Sequence, residues 1–80
     1  MKLIKLSSTG NFTRLEFSGE VKIYFSYETP IAIVYGDEVY ITKNNWAQTT
    51  GKHINKVKQS HPEHEVVEHY VLMYKINEGI

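Results

Sequence analysis

The residues best suited to chemistry lie between positions 44 and 60, a stretch that also contains the single tryptophan, Trp46. Residues 49–53 read T-T-G-K-H, and a glycine, a lysine and the free amides of a helix start together favour an anion. The run lacks the second glycine and the five-residue arc of a phosphate loop, so nucleotide hydrolysis is not expected. Two interpretations stay open: a weak anion site, or a capped helix with Lys52 and His53 exposed.

Three of the four histidines lie among glutamates near the C-terminal end, which is the kind of side chain that binds metals. They are His61, His64 and His69, interspersed with Glu63, Glu65 and Glu68. Their spacing matches no zinc signature, and the chain has no cysteine. We therefore expect a solvated connection of mixed charge, with no metal and no cofactor.

Basic residues also concentrate in the central stretch. Its cations are Lys52, Lys56 and Lys58, with Lys43 just before them. Such a patch suits phosphates, and nearby tyrosines suit stacking on bases. However, nine Lys and Arg balance nine Asp and Glu, so no overall field attracts nucleic acid or anionic lipid. A nucleic-acid-binding module is an alternative hypothesis, as is a binder of small ligands such as nucleotides.

Aromatic side chains are numerous, with one Trp, six Tyr and three Phe in 80 residues. Tyrosine and tryptophan are enriched in binding hot spots, so an exposed aromatic patch for a protein partner is the leading hypothesis. A hydroxyl nucleophile needs a base and an orienting group in a pocket, and no such set is evident, so no enzyme is predicted. The predicted partner-binding residues are Tyr27, Trp46, Thr50, Lys52, His53 and Lys56.

Short strands are predicted before this stretch, in one domain that spans residues 1–80. Alternation of apolar and polar residues predicts a hairpin over 12–27. Residues 31–34 are apolar on both faces, which predicts a central strand, and Gly36-Asp37 predicts a tight turn into a strand over 39–42. The fold class is therefore α+β: an antiparallel sheet of five to six strands, with one helix packed on one face.

That helix is predicted over residues 49–59, with the hydroxyl of Thr49 or Thr50 as its cap. Ile54 and Val57 would face the sheet, and Trp46 would fold under the same face from the preceding loop. Gly51 in the first turn either admits a close neighbour or only weakens the start of the helix.

The segment 63–76 fits two structures, and a strand is favoured because β-branched and aromatic residues abound. As a helix it would begin with a capping box of Ser60 and Glu63. Its apolar stripe would then be Val66, Val67, Tyr70, Val71 and Tyr74. Residues 77–80 are expected to form a frayed tail. A homo-oligomer is expected to be accessible through pairing of the last strand at an edge.

Two motifs carry a family resemblance: F-S-Y-x-T-x-I-A at residues 25–32 and W-x-x-T-T-x-K-H-I-N at residues 46–55. They resemble small uncharacterised proteins encoded by bacteriophages and mobile elements, over roughly residues 20–57. The resemblance supplies no activity, but phage-encoded accessory proteins of this size often work by binding, commonly to inhibit a host enzyme or defence complex. Together with the small size, the many aromatic residues and the lack of catalytic groups, it predicts a non-catalytic accessory protein that binds and modulates or inhibits a host protein complex, such as a defence (anti-CRISPR-like) inhibitor. Some such proteins mimic nucleic acid with acidic surfaces. This chain is neutral with a basic centre, so steric or allosteric inhibition is expected instead.

No apolar run approaches the roughly 18 residues of a membrane span, and the apolar run at the start of the chain is too short for a signal peptide. A cytoplasmic protein is expected, in the host cytoplasm if a phage encodes it.

Overall fold

Six strands lie side by side in the order in which they occur in the chain. The computed structural model describes residues 1–79. Each of the first four strands is antiparallel to the next, and the sixth is parallel to the fifth. The elements are β1 (Lys2–Lys5), β2 (Phe12–Glu16), β3 (Val21–Ser26), β4 (Thr29–Tyr35), β5 (Glu38–Thr42), α1 (Gln48–Ser60), β6 (Glu65–Val67) and α2 (His69–Gly79).

The predicted α+β class is confirmed, with two differences. The sheet is mixed, because β6 runs parallel to β5, and two helices pack on it instead of one. The hairpin of β2 and β3 and the central position of β4 are as predicted. The β4–β5 turn is also as predicted: Tyr35 pairs with Glu38, and Gly36 supplies the positive φ of 59° that such a turn requires.

The two faces of β4 explain why two helices are needed. Ile31, Ala32, Ile33 and Val34 are all buried. A register shift opposite Tyr24 and Phe25 puts Ile31 and Ala32 in one cluster with Val34, and Ile33 packs in the cluster on the opposite face. One face packs with Ile54 and Val57 of α1, as predicted for that helix. The other face packs with Leu72 and Ile76 of α2. The sheet is thus covered on both sides where β4 crosses its centre.

The strand predicted for the C-terminal segment is wrong beyond residues 65–67, because residues 69–79 form α2. The buried residues Leu72 and Ile76 are four apart, which is helical spacing, and the uncovered face of β4 outweighs the β propensity of the segment. The alternative prediction for this segment, a helix over residues 63–76, is also wrong in its details. It has no capping box at Ser60, and Tyr70 and Tyr74 are exposed instead of buried. The predicted frayed tail is also wrong for 77–79, and Ile80 lies outside the described residues.

The start of α1 differs from the prediction too. Its N-cap is Ala47, which makes no side-chain capping bond, and the Thr50 hydroxyl bonds to the sheet instead. Gly51 does admit a close neighbour, because a Cβ there would lie 2.8 Å from Nδ2 of Asn44. The helix ends before Pro62, where the His61 amide donates to the Val57 carbonyl. Within residues 1–79, neither helix is long and apolar enough to cross a membrane.

Candidate functional site: a buried polar anchor beneath an aromatic end

A buried hydrogen-bond network, which we call the polar anchor, joins the first turns of α1 to the end of β3. It consists of Ser26, Thr50 and His53, all of which are buried. The Ser26 hydroxyl donates to Oγ1 of Thr50 over 3.1 Å and lies 2.6 Å from Nδ1 of His53. The imidazole of His53 also stacks on the ring of Phe12, with 4.8 Å between centroids. The polar anchor therefore fixes α1 against the sheet at this end.

A serine hydroxyl beside an imidazole is also the geometry of an activated nucleophile. Here Ser26 is only 1% exposed, so a substrate carbonyl has no path to its Oγ. Buried polar groups need partners, and each member of the polar anchor supplies one for another. The pair is best explained as a structural link.

Burial and nearby cations keep two histidines neutral at pH 7. Burial first, and then Lys56, lower the pKa of His53 from its ordinary value of 6.5. Burial also lowers the pKa of His61, with further contributions from Lys22, Arg14 and His64. The hydroxyl of Tyr24 lies 3.0 Å from Nε2 of His61. A neutral imidazole can accept a hydrogen bond from that hydroxyl group, and a protonated imidazole cannot.

These shifts predict that the protein loses stability in mild acid. His53 and His61 have lower pKa values folded than unfolded, so the unfolded chain binds more protons as the pH falls through 6.5. Their contribution to the free energy of unfolding is full above that pH and declines below it, towards the folded pKa values. Urea denaturation at pH 7.5 and pH 5.5 measures the change. The His61→Gln variant should retain only the part of this slope that His53 provides, and equal stability at both pH values would contradict the assignment.

Above the polar anchor lies a set of side chains that we call the aromatic end: Tyr27, Trp46, His69 and Tyr70. Three loops or helix starts bring these residues to one end of the sheet: the β3–β4 turn, the loop before α1 and the first turn of α2. Tyr27 is 53% exposed, Trp46 37% and Tyr70 76%. Large exposed aromatic side chains gathered at one end are typical of a contact surface.

Hydrogen bonds hold the Trp46 loop in place. The Trp46 amide donates to Oδ1 of Asn44, the residue for which Gly51 leaves room. The Trp46 ring packs edge-on against His69 with 4.8 Å between centroids, and His69 Nε2 lies 3.2 Å from the Pro30 carbonyl oxygen. The tryptophan thus belongs with α2 and the start of β4, and the prediction that it folds under α1 is wrong.

Tyr27 is the one non-glycine residue within 1–79 that has a positive φ, at 57°. This left-handed conformation costs a residue with a Cβ about 1–2 kcal/mol. The Tyr27 amide donates to the Asn11 carbonyl, and the Tyr27 ring lies 6.2 Å from the ring of His53. Strain of this kind persists where the surroundings fix it, and it clusters at functional sites. Here it turns a large ring outward at the tip of a hairpin.

The structure divides the six predicted site residues into three groups. Tyr27 and Trp46 lie at the aromatic end. Thr50 and His53 belong to the polar anchor beneath it and are only 6% and 7% exposed. Lys52 and Lys56 are both exposed on α1, Lys56 one turn farther from the aromatic end.

Sequence reasoning missed Ser26, His69 and Tyr70 as members of this region. Ser26 occupies the polar side of an alternating strand, where nothing distinguishes it from a solvated serine. His69 and Tyr70 were missed because a strand was predicted for their segment. A pattern with Leu72 and Ile76 as the buried pair could have revealed the helix.

The predicted lysine patch is partly neutralised, and the histidines do not gather. Lys43 pairs with Glu68 at 2.8 Å, which raises the pKa of Lys43. His61 bonds to Tyr24, whereas His69 lies at the Pro30 carbonyl. Among the described residues, no three metal-ligating side chains come together.

Fold and site together define a small α+β domain, with two helices on opposite faces of a six-stranded mixed sheet and an aromatic end. Residues 1–71 match DUF8033, which is described as a family of unknown function. The chain belongs to this family, in agreement with the expected resemblance to uncharacterised proteins. No curated protein and no solved structure matches the chain.

Proposed function

We propose that this protein is a non-catalytic accessory protein that binds a host protein complex through its aromatic end and modulates or inhibits it. The observation that carries the proposal is the Tyr27 ring, held outward by a left-handed backbone at the same end as Trp46 and Tyr70. A strained, exposed aromatic residue is costly to the isolated chain, and binding of a partner would explain why it is kept.

The aromatic end suits a protein partner for a second reason. Tyrosine and tryptophan supply large contact areas while losing little side-chain entropy, because they rotate about only two bonds. The polar anchor lies directly beneath Tyr27, so the ring is mounted on a rigid base. Such preorganisation reduces the entropy lost on binding.

The charges around the aromatic end favour protein over nucleic acid. Glu28 follows Tyr27 in the same turn, and Glu68 precedes His69 and bonds Lys43. The carboxylate of Glu28 would repel phosphates, and the Lys43–Glu68 pair carries no net charge to attract them. A mixed polar rim around aromatic residues is typical of protein interfaces.

The biological setting of the proposal comes from the resemblance to phage and mobile-element proteins. Phage-encoded accessory proteins of this size often work by binding, commonly to inhibit a host enzyme or defence complex. The neutral composition of this chain favours steric or allosteric inhibition over mimicry of nucleic acid. We therefore assign the protein an inhibitory role in the host cytoplasm.

A pull-down from bacterial lysate, with and without nuclease, tests the proposal. We expect a stoichiometric protein partner that survives nuclease treatment with the wild-type chain, and the same partner with Lys56→Ala, which lies away from the aromatic end. Recovery of nuclease-sensitive material alone would favour the nucleic-acid hypothesis, and recovery of no partner would contradict the proposal.

A further inference from the structure

A groove opens on the α1 side of the sheet, beside the polar anchor, whose His53 stacks on the lining residue Phe12. It arises because α1 packs chiefly on β3, β4 and β5 and leaves part of β1 and β2 uncovered. Its volume is about 460 Å³. The wall on the sheet side includes Leu6, Arg14 and Tyr24, and the wall on the helix side includes Lys56 and Gln59.

The groove carries an excess of positive charge in a chain whose total charge is zero. Arg14 and Lys56 line it, and Lys22 lies near His61, the residue that bonds to the Tyr24 hydroxyl on the wall of the groove. Among the described residues, Arg14 forms an ion pair with Glu16, whose carboxylate lies 2.8 Å from the guanidinium. Lys22 and Arg14 add to the effect of burial in lowering the pKa of His61, so both cations lie near this imidazole.

Hydrogen-bond donors also outnumber acceptors in the groove. Nε of Arg14 is buried and has no hydrogen-bond partner within the described chain. The Arg14 guanidinium lies 5.9 Å from the centre of the Tyr24 ring, and the Tyr24 hydroxyl is engaged with His61. Lys56 has three donors and no acceptor on its side chain. Nε itself is too buried to reach a ligand, so the positive charge available in the groove is that of Lys56 and of the terminal nitrogens of Arg14. A ligand held by these groups must bring negative charge and acceptor oxygens.

We propose that this groove binds a small phosphorylated molecule, whose phosphate lies between Arg14 and Lys56. A phosphate monoester carries a charge of about −1.5 to −2 at pH 7 and three acceptor oxygens. Arginine binds phosphate with a fork of parallel N–H donors, and lysine adds a point charge. The volume of the groove falls within the roughly 300–1,000 Å³ of small-molecule sites. The site is separate from the aromatic end, so it adds to the proposed function and does not depend on it.

Calorimetric titration with three probes tests the ligand chemistry: inorganic phosphate, adenosine 5′-monophosphate and adenosine. We expect both phosphate compounds to bind and adenosine not to bind. Tighter binding of the nucleotide than of inorganic phosphate would mean that the groove also contacts the nucleoside part of the ligand. Equal binding of the two would mean that the site takes free phosphate. Binding of adenosine as strong as that of the nucleotide, or no saturable binding of either phosphate compound, would overturn the proposal.

Two exposed lysines on α1 provide a matched pair of variants. Lys56→Gln should weaken phosphate binding about tenfold, because a charge-assisted contact is lost. Lys52→Gln, one turn earlier and outside the groove lining, should leave it unchanged. Both side chains are exposed, so both variants are expected to fold. Equal weakening of phosphate binding in the two variants would mean that only the overall charge of the protein matters, and this result would refute the site.

The histidine resonances give a second readout. A bound phosphate places negative charge near His61, so its pKa should rise on saturation with inorganic phosphate. The ring resonances of His69, at the aromatic end, should keep their chemical shifts on addition of phosphate and serve as the internal control. A shift in His69 without one in His61 would place the anion elsewhere and would overturn the proposal. The pull-down described above depends on the aromatic end, so failure of one proposal leaves the other testable.

Discussion

Leu72→Ala is expected to lower the free energy of unfolding by about 2–5 kcal/mol, as truncation of a buried leucine does. Leu72 is fully buried and packs in the cluster that contains Val21, Ile23 and Ile33. A small domain has a total stability of about 5–15 kcal/mol, so this loss is a large share of it. Urea denaturation followed by circular dichroism measures the change, and the midpoint should fall strongly with little change in the slope.

Tyr74→Ala is the matched control, because Tyr74 lies two residues farther along α2 and is 63% exposed. Its substitution should change stability by no more than about 0.5 kcal/mol. If Leu72→Ala were equally mild, α2 would not be a core element. A larger loss for Tyr74→Ala than for Leu72→Ala would indicate that the opposite side of the segment faces the sheet.

The first strands and α1 could be predicted from the sequence, and the helix that contains Leu72 and Tyr74 could not. β2, β3 and the helix α1 were predictable because each has a clear period over its own length. β4 and β5 were predictable as short apolar or β-branched runs on either side of a Gly-Asp turn. The segment that follows Pro62 has β-branched and aromatic residues throughout, so its local preference opposes the structure it adopts. Its helix is favoured because the second face of β4 must be covered, and that requirement arises only when the sheet is assembled.

Prediction of the candidate site failed in a similar way where contacts are distant in sequence. Tyr27 and Trp46 could be chosen as binding residues because large aromatic side chains next to turn residues are informative in themselves. The polar anchor could not be predicted, since Ser26 lies 24 residues from Thr50 and 27 from His53. A threonine near a helix start fits a cap and a buried contact equally well, and only the position of β3 decides between them.

Tyr27→Gly is expected to abolish most partner binding while leaving the fold intact. Loss of a hot-spot aromatic residue costs 2 kcal/mol or more, which corresponds to a decrease in affinity of about 30-fold. Glycine adopts the φ of 57° without strain, and this gain of about 1–2 kcal/mol offsets the greater entropy that glycine loses on folding. Thermal unfolding should therefore show similar stability, and the affinity for the captured partner should fall sharply.

Tyr35→Gly is the matched control, because it removes an exposed tyrosine ring outside the aromatic end. Tyr35 is 45% exposed, which is close to the exposure of Tyr27, but it lies at the opposite end of β4. If the aromatic end is the binding surface, removing the Tyr35 ring should leave affinity unchanged. Equal loss in both variants would indicate a nonspecific aromatic contact. Full binding by Tyr27→Gly would mean that the strained backbone serves the hairpin alone, and the surface would then have to be sought elsewhere on the protein.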